Sequence, residues 1–297
     1  MTKTYIHIAV LLFLVSFSQG GNTQNDSEPV ISKEPLIEPP QSVAAGDILR
    51  IVSPKLESEG YVAKLGRTPT IMISHEGYDE IIAGVDINAI PGEYLLTLET
   101  NKKQLASFSF VVPTPGKHAF SEPPKQLSSS GVEKKALLKK LLWSNINPVL
   151  PFTLPVQGEW STTFGAYFEM NQAPKSKNKG RLFNASTLSR VDSVFLTIEE
   201  PTAIHAPTDS VCFLVSFDQD KGYTVLLDHG MGLFSEISGL SNLTISEQDR
   251  VPKNALIASF NRDDFVGTDN EISSKTIQWR TFLNKATVNP LNLTKIP

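Results

Sequence analysis

From about residue 46 onward the chain is built from short apolar or alternating runs, each closed off by Gly, Pro, Asp or Asn. In the first half these are Leu49–Val52 (LRIV), Tyr61–Leu65 (YVAKL), Thr70–Ile73 (TIMI), Glu80–Val85 (EIIAGV), Tyr94–Leu98 (YLLTL) and Leu105–Val112 (LASFSFVV). In the second half they are Val194–Ile198, Ser210–Phe217, Tyr223–Leu227, Ala255–Phe260, Thr276–Trp279 and Ala286–Val288. Runs this short, with period two and turn residues such as Pro91-Gly92 between them, are strands of antiparallel sheets. No long helical period fits between them, which excludes a doubly wound parallel sheet. The fold class is all-β.

The flanking segments differ. Residues 1–21 read as a secretory signal: Lys3 supplies a positive start, Ile8–Phe17 an apolar stretch, and Ser18–Gly21 small residues for cleavage. The stretch is about half the ~20 residues a membrane span needs. There is no cysteine at the cleavage point for a lipid anchor. The expectation is a secreted protein of the bacterial periplasm or cell envelope, with no integral span after cleavage. Residues 22–45, rich in Pro, Ser, Glu, Asn and Gln, read as a flexible leader. Residues 46–113 read as a small β-sandwich, 114–149 as a linker with an amphipathic helix, and 150–297 as a second β domain. In that helix Leu137, Leu138, Leu141 and Leu142 share a face, with Lys134, Lys135, Lys139 and Lys140 largely opposite. Its length favours an interdomain helix over a membrane-surface one.

Composition narrows the chemistry. With 27 Lys and Arg against 31 Asp and Glu, the net charge of −4 argues against nucleic acid as a partner. The lone Cys212 excludes internal disulfides and multi-cysteine metal sites. Neither a G-x-S-x-G elbow nor a phosphate-cradling G-x-x-x-x-G-K-[ST] is present. Cys212 sits in an apolar strand pattern and reads as core. The adjacent carboxylates Glu199-Glu200 and Asp263-Asp264 read as solvated, and Lys175–Arg181 as a basic exposed loop.

The motifs of residues 150–292 come in a recognisable order. Leu154–Gly158 (LPVQG) and Ser161–Gly165 (STTFG) are followed by Arg181–Asn184 (RLFN), with Ala185 where a glycine is usual. Then come Thr202–Val211 (TAIHAPTDSV), Gly222–Leu233 (GYTVLLDHGMGL), Leu240-Ser241, Trp279 and Val288–Leu291 (VNPL). This series resembles the LytM/lysostaphin-type zinc endopeptidases of bacterial cell walls. The 46–113 segment, through Gly84–Tyr94 (GVDINAIPGEY), is similar to the β-domain that precedes the module in some members. The resemblance implies an antiparallel β core of duplicated hybrid, barrel-sandwich type, with a long groove.

In that family two zinc ligands come from H-x-G-x-D and one from the second His of H-x-H. The first His of H-x-H and the His of H-L-S assist the reaction. Carried over by position, the ligands fall on Val191, Phe195 and Gln278, and the assisting histidines on Thr276 and Gly239. Valine and phenylalanine have no lone pair for a metal, glutamine is a poor zinc ligand, and threonine and glycine are no imidazole bases. A register slip does not rescue the site. No histidine lies between His118 and His205, and none follows His229. His205 and His229, with Asp209, Cys212 and Asp228, lack the H-x-H, H-x-x-x-H or C-x-x-C spacing of a replacement site. His75 and His118 read as turn and linker residues.

The resemblance therefore implies a degenerate member with no catalytic residue, no metal and no cofactor. Its partner would be peptidoglycan or a cell-wall hydrolase. Two alternatives stay open from sequence: an active zinc endopeptidase with rearranged ligands, and a structural two-domain envelope protein that does not bind murein.

Overall fold

The computed structural model describes residues 40–56, 60–101, 103–114, 144, 146–171, 186–218, 222–261, 263 and 275–296. The expected signal, most of the leader, His118, the amphipathic helix, the basic run, the Arg181–Asn184 motif and Asp264 lie outside these residues. The architecture is all-β with antiparallel sheets, as the spacing of the runs implies. Among the described residues no helix is long and apolar enough to cross a membrane.

The first seven strands are β1 (Ile48–Pro54), β2 (Val62–Leu65), β3 (Thr68–Pro69), β4 (Ile71–Ser74), β5 (Tyr78–Gly84), β6 (Gly92–Glu99) and β7 (Gln104–Val112). They form two sheets, β1-β5-β4 and β3-β2-β6-β7. Leu49, Ile51, Ile81 and Ala83 from one sheet meet Ala63, Leu96, Leu98, Phe108 and Phe110 from the other in a shared core. These are alternating residues of their strands, so the period-two pattern in sequence becomes the inner faces of a sandwich.

The remaining strands are β8 (Tyr167–Asn171), β9 (Ser186–Arg190), β10 (Val194–Ile198), β11 (Ala203–His205), β12 (Ser210–Asp218), β13 (Gly222–Gly230), β14 (Leu233–Leu240), β15 (Arg250–Val251), β16 (Leu256–Ser259), β17 (Lys275–Leu283) and β18 (Ala286–Val288). A seven-stranded sheet has the order β10-β17-β14-β13-β12-β15, with β18 also paired to β17. β11 pairs with β16, and β8 with β9. One helical turn, α1 (Pro290–Leu293), closes the chain. The Asn289 side chain caps it by accepting from Leu291 N (3.1 Å), with Pro290 in the first turn.

Trp279 anchors the larger core. It is fully buried, stands edge-on to Trp160 (centroids 5.7 Å apart) and donates from Nε1 to Ser235 Oγ (3.3 Å). Burying a side chain of this size stabilises by about 3 kcal/mol. Ile204, Ala206, Ile257 and Ala258, from β11, β16 and their flanks, belong to the same cluster. The β11–β16 pair therefore covers the Trp279 face of the seven-stranded sheet.

Ile71 and Ile82 of the first half also join this larger core. Gly84 permits the approach, since a Cβ there would stand 2.9 Å from Val288 Cγ1 and 3.0 Å from Leu283 O. Backbone bonds reinforce it: Ile87 N donates to Thr287 O (3.0 Å) and Asn289 N to Gly46 O (2.8 Å). Side chains add Thr287 N to Asp86 Oδ2 and Asn292 Nδ2 to Asp47 Oδ1, both 2.8 Å.

Candidate functional site

In an antiparallel sheet, directly opposed residues share a face. The row Val194–Trp279–Ile237–Val225 lies on the core side. The adjacent row Phe195–Gln278–Ser238–Thr224 therefore lies on the other side. Of the positions singled out in sequence, Phe195 and Gln278 are direct cross-strand neighbours. Thr276 follows Gln278 along the same face of β17 and opposes Thr197. Gly239, at φ +82°, brings its backbone against the Thr276 carbonyl oxygen, leaving no room for a Cβ. Val191 precedes β10. Its N–H donates to Ala166 O (2.8 Å), and its carbonyl accepts from Gly165 N (2.7 Å).

The floor here is partly buried and mixed in polarity. Val191 is 2% exposed and Gln278 3%. Gln278 Nε2 donates to Ser193 Oγ (2.7 Å), which satisfies a buried amide with a buried hydroxyl. Phe195 is partly buried at the edge of the sheet. Its N–H donates to Ser161 Oγ (2.9 Å), and its carbonyl accepts from Ser161 N (2.8 Å). Ser161, from the motif before Phe164 and Gly165, thus covers the open edge of β10.

One group in this region escaped the sequence reading. Arg280, 2% exposed, places Nη2 3.2 Å from Asp192 Oδ1 and Nη1 3.1 Å from Glu236 Oε1. Burial disfavours the guanidinium charge, but Glu236, Asp192 and the hydrogen bond to Asp192 outweigh it and raise the Arg280 pKa. The signal was present in sequence: Gln278 and Arg280 alternate with Ile277 and Trp279, so an arginine had to lie on the face opposite the core. Its partners come from other segments and could not be paired from sequence alone.

The other candidates do not converge on this floor. His205 stands in β11, beside a register irregularity in its pairing with β16. His229 is fully buried, edge-on to Phe152 (4.8 Å), with Nδ1 3.2 Å from Asp209 O. That contact fits a ring protonated on Nδ1 and leaves Nε2 without a hydrogen-bond partner among the described residues. Burial pushes the His229 pKa down to about 4, against smaller raising effects of the Asp209 carbonyl and carboxylate.

Asp228 Oδ1 accepts from Gly230 N (2.8 Å) and Ser144 Oγ (3.3 Å), and burial raises its pKa against those bonds. Cys212 is buried, and its thiol is pushed up to about 11 by burial and then by Glu247 and Asp249. His75 stacks on Tyr78 with Nε2 3.6 Å from Glu80 Oε2. Glu199, Glu200 and Asp263 are exposed. Among the described residues no three His, Cys, Asp or Glu side chains come together as a metal-binding group.

Neither a family model nor a curated protein sequence matches the chain. Solved structures do. A candidate M23 peptidase from Pseudomonas aeruginosa aligns over 84% of this chain and 94% of its own, at 19% identity and a TM-score of 0.57. The chain has the LytM/M23 peptidase fold. Two further structures align at lower scores. The complex of SpoIIIAH and SpoIIQ matches at 18% identity over 48% of this chain and 98% of that one, with a TM-score of 0.33. Helicobacter pylori Csd3 matches at 14% identity over 84% and 48%, with a TM-score of 0.35. At these identities the likeness concerns the LytM fold, and the chemistry has to be argued from the residues.

Proposed function

We propose that this chain is a non-catalytic protein of the bacterial cell envelope that uses the LytM fold to bind peptidoglycan or to regulate a cell-wall hydrolase. One observation carries the reading. At the positions that the resemblance gives to the zinc ligands and catalytic histidines, this chain has Val191, Phe195, Gln278, Thr276 and Gly239, of which Val191 and Gln278 are buried and the other three partly buried. Metal-assisted hydrolysis needs about three protein ligands and an open position for water. Valine, phenylalanine and an amide already bonded to Ser193 do not supply them. The fold without its cutting chemistry leaves recognition as its use, and the amino-terminal signal read from sequence places that recognition outside the cytoplasmic membrane.

The test uses the full chain after signal removal. Its metal content is measured and it is incubated with purified, cross-linked sacculi. The reading expects retention on sacculi, or on a wall hydrolase, with no muropeptide released. Stoichiometric zinc together with chelator-sensitive cleavage, lost in His205→Ala or His229→Ala, would establish the rearranged peptidase instead. Failure to bind either sacculi or hydrolase would leave a structural envelope protein.

A further inference from the structure

The segment Thr153–Gln157 runs beside β11, and with Asn254, just ahead of β16, it walls a surface cleft of about 520 Å3. Its base is fixed by backbone: His205 N donates to Pro155 O (2.9 Å) and Asn254 N to Ala206 O (3.0 Å). Thr153 Oγ1 lies 2.8 Å from the Asn254 carboxamide and 3.0 Å from Pro207 O, which holds that carboxamide at the cleft and leaves one of its two ends for a ligand. Gln157 brings a second, exposed carboxamide and His205 an imidazole. Leu154 and Pro155 provide an apolar side.

Two features set this cleft apart from ordinary surface. The register irregularity between Ile204 and His205 interrupts regular strand pairing where the imidazole meets the cleft, and such irregularities re-aim side chains. Ile204 remains fully buried in the core while His205 is partly exposed. In addition, no Asp, Glu, Lys or Arg is among the described residues that line it. Beyond the His205 imidazole, a charged ligand would find no partner of opposite sign there. What the cleft offers is a set of neutral donors and acceptors beside an apolar flank, within the roughly 300–1,000 Å3 range of small-ligand sites. Ring hydroxyls and the C–H face of a pyranose match both halves of that lining.

We infer that this cleft is a binding site for a neutral saccharide unit. It rests on the proposed recognition of the cell wall and gives the glycan a place distinct from the Val191–Gln278 floor. The β11–β16 pair covers the Trp279 face of the large sheet, and the floor lies on the opposite face.

Backbone-amide NMR on the full chain tests this, with N-acetylglucosamine and glucose as probes and inorganic phosphate and the dipeptide Ala-Ala as controls. The expected result is a saturable shift of the Gln157, Ala203, His205 and Asn254 amides with a sugar, and none with the controls. Asn254→Gly tolerates the left-handed backbone at φ +64° and removes the carboxamide. Gln157→Ala changes an exposed side chain. Each loss of a neutral hydrogen bond should weaken binding roughly three- to tenfold. The inference is overturned by absence of a saturable shift in the folded protein, by shifts confined elsewhere, by a stronger response to phosphate or dipeptide, or by unchanged affinity in both variants. Sacculus binding of the two variants separates the readings: full retention in Asn254→Gly and Gln157→Ala, with no saturable sugar shift, overturns the cleft alone, whereas a saturable sugar shift without retention on sacculi or on a hydrolase counts against the wall-binding reading alone.

Discussion

Gly239 and Thr276 meet backbone to backbone where β14 passes β17, and the space a Cβ would need at Gly239 is taken by the Thr276 carbonyl oxygen. With φ at +82°, the position is closed to side chains twice, by sterics and by conformation. Gly239→Ala should therefore destabilise the fold by about 3 kcal/mol or more. Urea unfolding of the variant against the parent measures this. A change within a few tenths of a kcal/mol would mean that the two strands do not approach so closely.

The same closure bears on attempts to rebuild a metal centre. Val191→His, Phe195→Asp and Gln278→His together place imidazole and carboxylate at the three positions proposed to correspond to the family's zinc ligands. We expect this variant to acquire stoichiometric zinc, measured by mass spectrometry of the purified protein. It should still not cleave murein, because Thr276 and Gly239 carry no imidazole. A folded triple variant that takes up no zinc would show that the ligand positions have been assigned to the wrong residues.

Arg280 is held between a nearly buried carboxylate and a more exposed one. Glu236 has 9% of its side chain exposed and Asp192 22%. Removing one partner from a buried pair strands the other charge, so Glu236→Leu should cost about 3 kcal/mol, and Asp192→Ala about 1 kcal/mol. Adding Arg280→Met to Glu236→Leu should restore most of the loss. A double variant no more stable than Glu236→Leu alone would contradict this account of the charge.

His229 links stability to pH. Its pKa falls from 6.5 to about 4 on folding, so between these values the unfolded chain binds the extra proton and the folded one does not. The contribution is complete above pH 6.5 and is lost as pH falls toward 4, at up to about 1.4 kcal/mol per pH unit. Asp79 and Asp228 soften the slope: burial raises both pKa values, so the folded state holds their protons more tightly over part of the acid range. Unfolding midpoints measured across this window should fall with pH in the parent, and less steeply in His229→Phe. Identical slopes would remove His229 from the explanation.

Cys212 should be inert in the native protein. It is buried and its thiol is raised to about 11, which leaves little thiolate at neutral pH. Alkylation followed by mass spectrometry should show negligible modification until denaturant is added. Rapid labelling of the folded chain would place Cys212 outside the core.

Much of the strand inventory was legible because alternation survives in half-buried strands: every run singled out in sequence coincides with a strand. β14 was not among them. Its sequence, LFSEISGL, places Ser235, Glu236 and Ser238 in the buried centre of a sheet, where Trp279, Arg280 and neighbouring strands surround them. Polarity looked like surface because the partners that permit burial are far away in sequence. The same reason hid the Asp192–Arg280–Glu236 grouping. The chemical character of Val191, Phe195 and Gln278 was legible at once, whereas the closed packing around Gly239 required coordinates. The β8–β9 pair was missed because its strands are brief and mixed in polarity.

Arg190, the residue just before Val191, donates to Ile87 O on the loop after β5 and to Tyr167 Oη on β8, and its guanidinium lies 4.6 Å from the Tyr167 ring centroid. A fragment starting near residue 150 would delete the Ile87 acceptor and leave this strut fastened at one end. The carboxy-terminal half expressed alone is thus a different object from the same residues in the intact chain, and a negative binding result obtained with it would say little about the whole.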